Sequence, residues 1–324
     1  MEPIASAEAL SEETQGTAAL HRNVMVGIAI ALLVAPFLLY PIVVMKVLCF
    51  ALFALAFNLL LGYGGLLSFG HAAYFGLASY TCAYTAKNLG LSPELSILSG
   101  TVAAGVLGVI FGSIAIRRQG IYFAMITLAL AQMVYFLSLQ NPQLTGGEDG
   151  IQGVPRGRLF GLVDLNNDMN MYFVVAVIFM AGLLLIYRTI HSPFGQICKA
   201  IRDNEPRATS LGYWTNRYKL MVFVLSATLA GLAGATKALV FQLASLTDVY
   251  WAMSGEVILM TLIGGLGTMF GPIVGAIIII ALQTYLAPLG AWVTVIQGAI
   301  FVACVMVFRD GIVGRIAQLI RKPL

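Results

Sequence analysis

His71, Glu256 and Lys237 are ionisable side chains within or at the ends of long apolar runs, and their chemistry sets the first question. His71, in GYGGLLSFGHAAYFG (62–76), is the histidine inside such a run. It could be a ligand or a proton carrier, but a lone histidine there is more often a hydrogen-bonded core residue. Glu256 is a carboxylate at hydrocarbon depth, which is costly unless it faces protein or water. It follows Ser254 and Gly255 at the start of a short apolar segment, where a helix N-terminus favours negative charge by about 0.3–1 kcal/mol. Glu256 therefore either caps that helix or attracts the ammonium of a zwitterionic solute in transit. Lys237 sits near the end of another segment and can snorkel to the interface.

Other chemistry is excluded. There is no HExxH or GxSxG, and His71 has no paired acid at short spacing, so no catalytic or metal constellation forms. Cys49, Cys82, Cys198 and Cys304 lie far apart without CxxC spacing and read as buried free thiols. Without GxxxxGK[ST] the chain cannot bind ATP through a P-loop, so any ATP-driven mechanism borrows hydrolysis from another chain.

The glycines carry the next signal. Gly64, Ser68, His71, Phe75, Ser79 and Cys82 fall near one helical face, and with Gly65 they read as a packing seam or a pathway lining. Alternatively, the glycines break the helix where backbone groups line a path. A second cluster, Gly264, Gly265 and Gly267, lies at a segment break. LGYGGLLSFG and LIGGLGTMFG agree at four of ten positions, 201 residues apart, a weak sign of an internal repeat.

The elements that position these residues are membrane spans. The 324 residues are 60% hydrophobic and 10% charged, with mean hydropathy +0.91; a soluble domain carries roughly 25% charged residues. This predicts an all-α, polytopic helical membrane protein. Ten segments approach the ~20 residues that cross a bilayer or part of it. They are Val24 to Tyr40, Ile42 to Leu61, Leu66 to Ala86, Leu95 to Ile116, Ile121 to Gln140, Met171 to Ile190, Leu220 to Leu243, Gly255 to Leu266, Thr268 to Ala287 and Ala291 to Phe308. The eighth is too short to span alone and reads as re-entrant or broken. With both termini cytoplasmic, thirteen of the 18 basic residues fall inside, as the positive-inside rule requires.

The expected organisation is a cytoplasmic tail at 1–22 that reads as disordered, a transmembrane domain at 23–310 and a cytoplasmic C-terminal tail at 311–324. Within the domain, the glycine-rich, net acidic loop 141–170 falls outside and the basic loop 191–218 falls inside. In the inner loop Phe194, Ile197, Cys198, Ile201 and Ala208 recur near helical spacing between Pro193 and Gly212. That pattern describes one or two amphipathic surface helices, suited to a groove on a soluble partner. A plain solvated linker is the alternative.

FGQICKAIRDNEPRATSLGYWTNRYKLMVFVLSATLAGLAGA (194–235) resembles the ATPase-coupling loop of permease subunits in branched-chain amino-acid (LIV-type) ABC importers. GYGGLLSFGHAAYFGLASY (62–80), LTGGEDGIQGVP (144–155) and LIGGLGTMFGPIVGA (262–276) resemble the same family, and the outer loop resembles its LivM-like member. The resemblance covers nearly the whole chain beyond its first 20 or so residues. It implies a LIV-type permease fold in the inner membrane of a bacterium. It also implies a heterodimer with a second permease, two cytoplasmic ATP-binding subunits that hold the ATP and magnesium, and a periplasmic binding protein. No cofactor belongs to this chain and no nucleic acid is a partner. Glu205, Ala208 and Gly212 match the family's acidic, small and glycine positions, while Pro206 and Arg207 depart from its pattern. Phe194, Gly195, Ala200 and Arg202 complete the expected coupling loop. Pro206 suits the first turn of a helix capped by Asn204 or Glu205. Implied cargoes are leucine, isoleucine and valine, other neutral amino acids, short amides, urea or aromatic carboxylates. An ion-coupled secondary transporter or channel for small polar solutes is the alternative.

Overall fold

A computed structural model describes residues 21–290, 292–307 and 311–320. The long helices are α1 (His21–Leu38), α2 (Pro41–Asn58, continued by a π turn at Leu59–Tyr63), α3 (His71–Lys87), α4 (Pro93–Ala115) and α5 (Ile121–Gln140). A short α6 (Pro142–Thr145) opens a loop that holds strands β1 (Ile151–Gln152), β2 (Arg158–Leu159) and β3 (Val163–Asp164). Then come α7 (Asp168–His191), α8 (Pro193–Asp203), α9 (Glu205–Ser210), α10 (Thr215–Phe241), β4 (Leu243–Ala244), α11 (Trp251–Gly264), α12 (Gly271–Tyr285), α13 (Trp292–Val307) and α14 (Gly311–Ile320). Six of these are long and apolar enough to cross a membrane, and α11 and α12 are shorter apolar helices. Chain direction alternates, so the 191–214 segment and the two glycine clusters share one end, called the basic end, while the 141–167 loop and the α10–α11 connection share the acidic end.

Apart from Lys46 and Asn58, α2 is apolar all round, and it is buried on nearly every side from Val44 to Leu60, the signature of a central helix. It packs against α7, α10, α11 and α12. α3, α4 and α10 form a second group whose seam is built from alanine and glycine. A Cβ on Gly234 of α10 would lie 2.0 Å from the Phe75 carbonyl oxygen, so only glycine permits that approach. Leu33, Phe37 and Leu38 of α1, Val102 and Val106 of α4 and Met125 and Phe136 of α5 are exposed, as suits side chains facing lipid.

At the acidic end β1 pairs antiparallel with β4, Ile151 opposite Ala244. Buried Arg156 donates from Nε to the Leu239 carbonyl at 3.3 Å and from Nη2 to the Val240 carbonyl at 2.7 Å. Its Nη1 meets Asp168 at 2.6 Å. A cation there satisfies the free carbonyls of the α10 C-terminus and fastens the glycine-rich loop to the bundle.

Several boundaries differ from the hydropathy reading. The third apolar segment begins at Leu66 by composition, yet α3 begins at His71. Residues 65–70 are irregular because Gly65 has φ +69°, a conformation that ends a helix. Gly64 and Ser68 therefore do not continue the helical face of His71, Phe75, Ser79 and Cys82. The N-terminal tail lies outside the described residues except for His21 and Arg22, which belong to α1. Of residues 311–324, 311–320 form α14 and the rest lie outside. Cys49, Cys82 and Cys198 are free and buried; the side chain of Cys304 lies outside the description.

Candidate functional site: two glycine breaks beneath a surface helix

The first break starts where α2 loosens into its π turn. Gly65 N–H bonds the Leu61 carbonyl at 3.1 Å and Leu66 N–H the Leu60 carbonyl at 3.2 Å, which closes the helix end. Beyond it, backbone donors find side chains: Phe69 N–H reaches Thr127 Oγ1 at 3.1 Å, Gly70 N–H reaches Ser68 Oγ at 3.1 Å, and Ala72 N–H reaches Ser254 Oγ at 2.9 Å. Irregular backbone at membrane depth survives only with such partners.

The second break, Gly265 to Phe270, has Gly265 at φ +127° and Gly267 at φ +71°. It touches the first break directly: a Cβ on Gly62 would lie 2.7 Å from the Gly267 nitrogen. Asn58, buried on α2, clamps the pair. Its Nδ2 donates to the Thr268 carbonyl at 2.8 Å, and its Oδ1 accepts from Gly267 N–H at 3.0 Å. α14 packs behind, with Gly311 so close that a Cβ would lie 2.4 Å from Gly265 Cα.

The inner loop does fold as two short helices. Ser192 caps α8, accepting from Gly195 N–H at 3.3 Å, and Asn204 caps α9, accepting from Arg207 N–H at 3.0 Å, with Pro206 in the first turn. Gly195, Cys198, Ile201 and Ala208 turn inward, and Phe194 stacks on Tyr218 at 5.9 Å. Ala200 is exposed, and Gly212, at φ +90°, turns the chain toward α10.

Arg202 joins this surface layer to the breaks. Its Nη1 donates to the Gly62 carbonyl at 2.5 Å, its Nε and Nη2 hold Asp203 Oδ1 at 3.0 and 2.9 Å, and its stem covers Gly65. Glu205 points toward the bundle, accepting from Gln119 at 2.8 Å and pairing with Lys219 at 2.5 Å. Burial pushes the Cys198 thiol up to about 11. Burial, and then the Arg202 charge, pull the Lys199 ammonium below its ordinary value, against the opposing effect of Asp203. Among the described residues, no group of three or more His, Cys, Asp or Glu side chains could hold a metal.

His71, fully buried at the start of α3, lies 2.8 Å by Nε2 from Ser226 Oγ. That hydroxyl donates to the Ala56 carbonyl at 2.5 Å, so the histidine carries its proton on Nε2 and donates it. Phe57, Tyr74 and Phe223 ring it edge-on, leaving it no opening to a path. Glu256 is not at a helix start: it is the sixth residue of α11, half-buried, and accepts from Gln283 Nε2 at 3.1 Å. Lys237 does not snorkel. It is buried and pairs with buried Asp248 at 2.7 Å, with Ser79 at 3.4 Å on the same carboxylate.

The structure thus brings Gly64, Gly65, Arg202 and Glu205 around one cavity of about 370 Å³, and Gly267 adjoins Gly62. His71 stands apart in the core, and Glu256 lies toward the acidic end. Sequence reasoning missed Asn58 and Asp248. An asparagine inside FALAFNLLLG was the available signal for the first, since polar residues within spans mark functional or packing sites.

Comparison with known proteins agrees with this architecture. The family model described as branched-chain amino acid transport system / permease component matches residues 39–305. The chain is 27% identical over 275 residues to the high-affinity branched-chain amino acid transport system permease protein LivM of Escherichia coli K12, covering 78% of this chain and 65% of that protein. The Salmonella typhimurium LivM matches equally, 27% over 276 residues with the same shares. The probable branched-chain amino acid transport permease protein LivM of Methanocaldococcus jannaschii is 24% identical over 280 residues, 72% of this chain and 77% of its own length. The chain thus spans just under two thirds of the two enterobacterial relatives. No solved structure matches it significantly. With the family model covering most of a helical bundle of apolar spans, the chain belongs to the permease components of branched-chain amino-acid transport systems.

Proposed function

We propose that this chain is the membrane subunit of an ATP-driven importer of branched-chain or related neutral amino acids, working by alternating access. It pairs with a second permease, a periplasmic binding protein delivers substrate, and two cytoplasmic ATPase subunits, which hold ATP and magnesium, dock on α8 and α9. Both termini and the basic end then face the cytoplasm. The single observation that carries this reading is the bond from Arg202 on the surface helix to the Gly62 carbonyl in the first break. A push on α8 thereby acts on the place where the two glycine turns meet. These turns are the natural two-state element, since the helix ends they join can repack without opening the bundle. Nucleotide-driven closure of the ATPases would move α8, and Arg202 and Asn58 would carry that movement to α2 and to the α11–α12 break together.

The test is reconstitution of this chain with its co-encoded ATPases, second permease and binding protein in proteoliposomes. Leucine uptake that requires ATP inside the ATPase compartment is expected. Uptake by this chain alone, without ATP, would overturn the importer reading in favour of an ion-coupled transporter.

A further inference from the structure

Three neighbouring helices each carry one polar side chain near the acidic end. Lys46 is the sixth residue of α2, Glu256 the sixth of α11, and Gln283 lies two residues from the end of α12. At about 1.5 Å per residue all three sit within roughly 8 Å of that end, below the helix termini. All three are half-buried, and their helices pack against one another.

The pairing among them is incomplete. Gln283 donates one hydrogen bond to Glu256. Among the described residues Lys46 has no hydrogen bond and no ion pair; the charges acting on it are Glu256 and Lys237. Lys237 is already held by both oxygens of Asp248, at 2.9 and 2.7 Å. The other deeply placed cations here close their contacts: Arg156 with Asp168, Lys219 with Glu205, Lys237 with Asp248. Lys46 and Glu256 stand at the same level on two packed helices with no ion pair between them, an arrangement that is costly for half-buried charges unless something completes it. A lone anion would complete only Lys46, and a lone cation only Glu256. A zwitterion carries both complements on one carbon.

We propose that Lys46 and Glu256 form a transit site for zwitterionic α-amino acids, with Lys46 taking the carboxylate and Glu256 the ammonium. Gln283 positions the Glu256 carboxylate. The proposal rests on the importer reading above and names the groups that recognise its cargo.

The test uses the complete reconstituted transporter and radiolabelled leucine. Lys46→Met and Glu256→Gln are each expected to lower uptake at least tenfold while assembling with the partner subunits in wild-type amounts. In the unmodified complex, carbodiimide labelling of Glu256, followed by mass spectrometry, is expected to fall severalfold while leucine and ATP are supplied. Uptake within twofold of wild type in both assembled variants would overturn the site and leave the importer reading intact. If a variant fails to assemble, the labelling decides, and equal labelling with and without leucine overturns the site. Absence of any neutral amino-acid uptake by the wild-type complex would instead overturn the substrate class, and this site with it.

Discussion

Asn58 on α2 and Thr268 in the second glycine break are 210 residues apart in sequence, yet the asparagine amide donates to the Thr268 carbonyl at 2.8 Å. The same side chain accepts from Gly267 N–H. Asn58→Ala leaves that donor and that carbonyl unpaired where water is scarce, at a cost of about 1–3 kcal/mol. A lower melting temperature of the detergent-solubilised complex is expected. Asn58→Asp keeps the acceptor but buries a carboxylate against the Thr268 carbonyl, so it should melt no higher than Asn58→Ala. Equal melting of all three proteins would show that the clamp contributes nothing.

Arg202→Ala removes the link between α8 and Gly62. In the reconstituted importer, leucine uptake should fall at least tenfold while ATP hydrolysis falls much less, so that more ATP is spent per leucine. Arg202→Lys should recover little, because an ammonium cannot hold Gly62 and Asp203 with one planar fork. Parallel measurement of uptake and phosphate release checks both.

Gly62→Ala places a methyl within 2.4 Å of Asn58 Oδ1 and 2.7 Å of the Gly267 nitrogen. Backbone cannot yield as a flexible side chain can, so the breaks must separate. The expected outcome is a complex that assembles poorly or melts several degrees lower, read by size-exclusion recovery. Gly255→Ala, where a Cβ meets nothing within 4 Å, is the control and should behave as wild type.

Lys237→Met strands the Asp248 carboxylate, whose side chain is 3% exposed. Loss of one partner of a buried pair costs about 3–5 kcal/mol, whereas replacing both by apolar groups is often neutral. Lys237→Met/Asp248→Leu should therefore be more stable than Lys237→Met alone. A denaturation series on the two variants decides the order.

Cys198 lies on the buried face of α8, and burial pushes its thiol up to about 11. Ordinary thiols titrate near 8.5. Maleimide labelling at pH 8 should therefore be slow, rising with pH through about 11. Stability moves the other way: the folded thiol stays protonated between about 9 and 11 while the unfolded one ionises, so this group's contribution is constant at lower pH and declines as pH rises through that window. Denaturing the protein at pH 8 should speed labelling sharply; fast labelling of the folded form would show that α8 is not seated.

The sequence by itself determined the features set by local composition. Apolar runs located the spans, the apolar spacing between Pro193 and Gly212 located one or two surface helices, and the glycine cluster at 264–267 marked a segment break. Each depends on residues near one another in the chain, so hydropathy, periodicity and backbone freedom make it legible. The tertiary structure decided which distant groups meet. Asn58 became a clamp only because α2 reaches the α11–α12 break, and Lys237 turned inward only because Asp248, on the connection after α10, lies beside it. Glu256 left its expected capping role because α11 starts at Trp251, which places Gln283 and the charge of Lys46 around it. A polar side chain at membrane depth takes the role its nearest complementary group assigns, and that neighbour is chosen by helix packing rather than by adjacency in the chain.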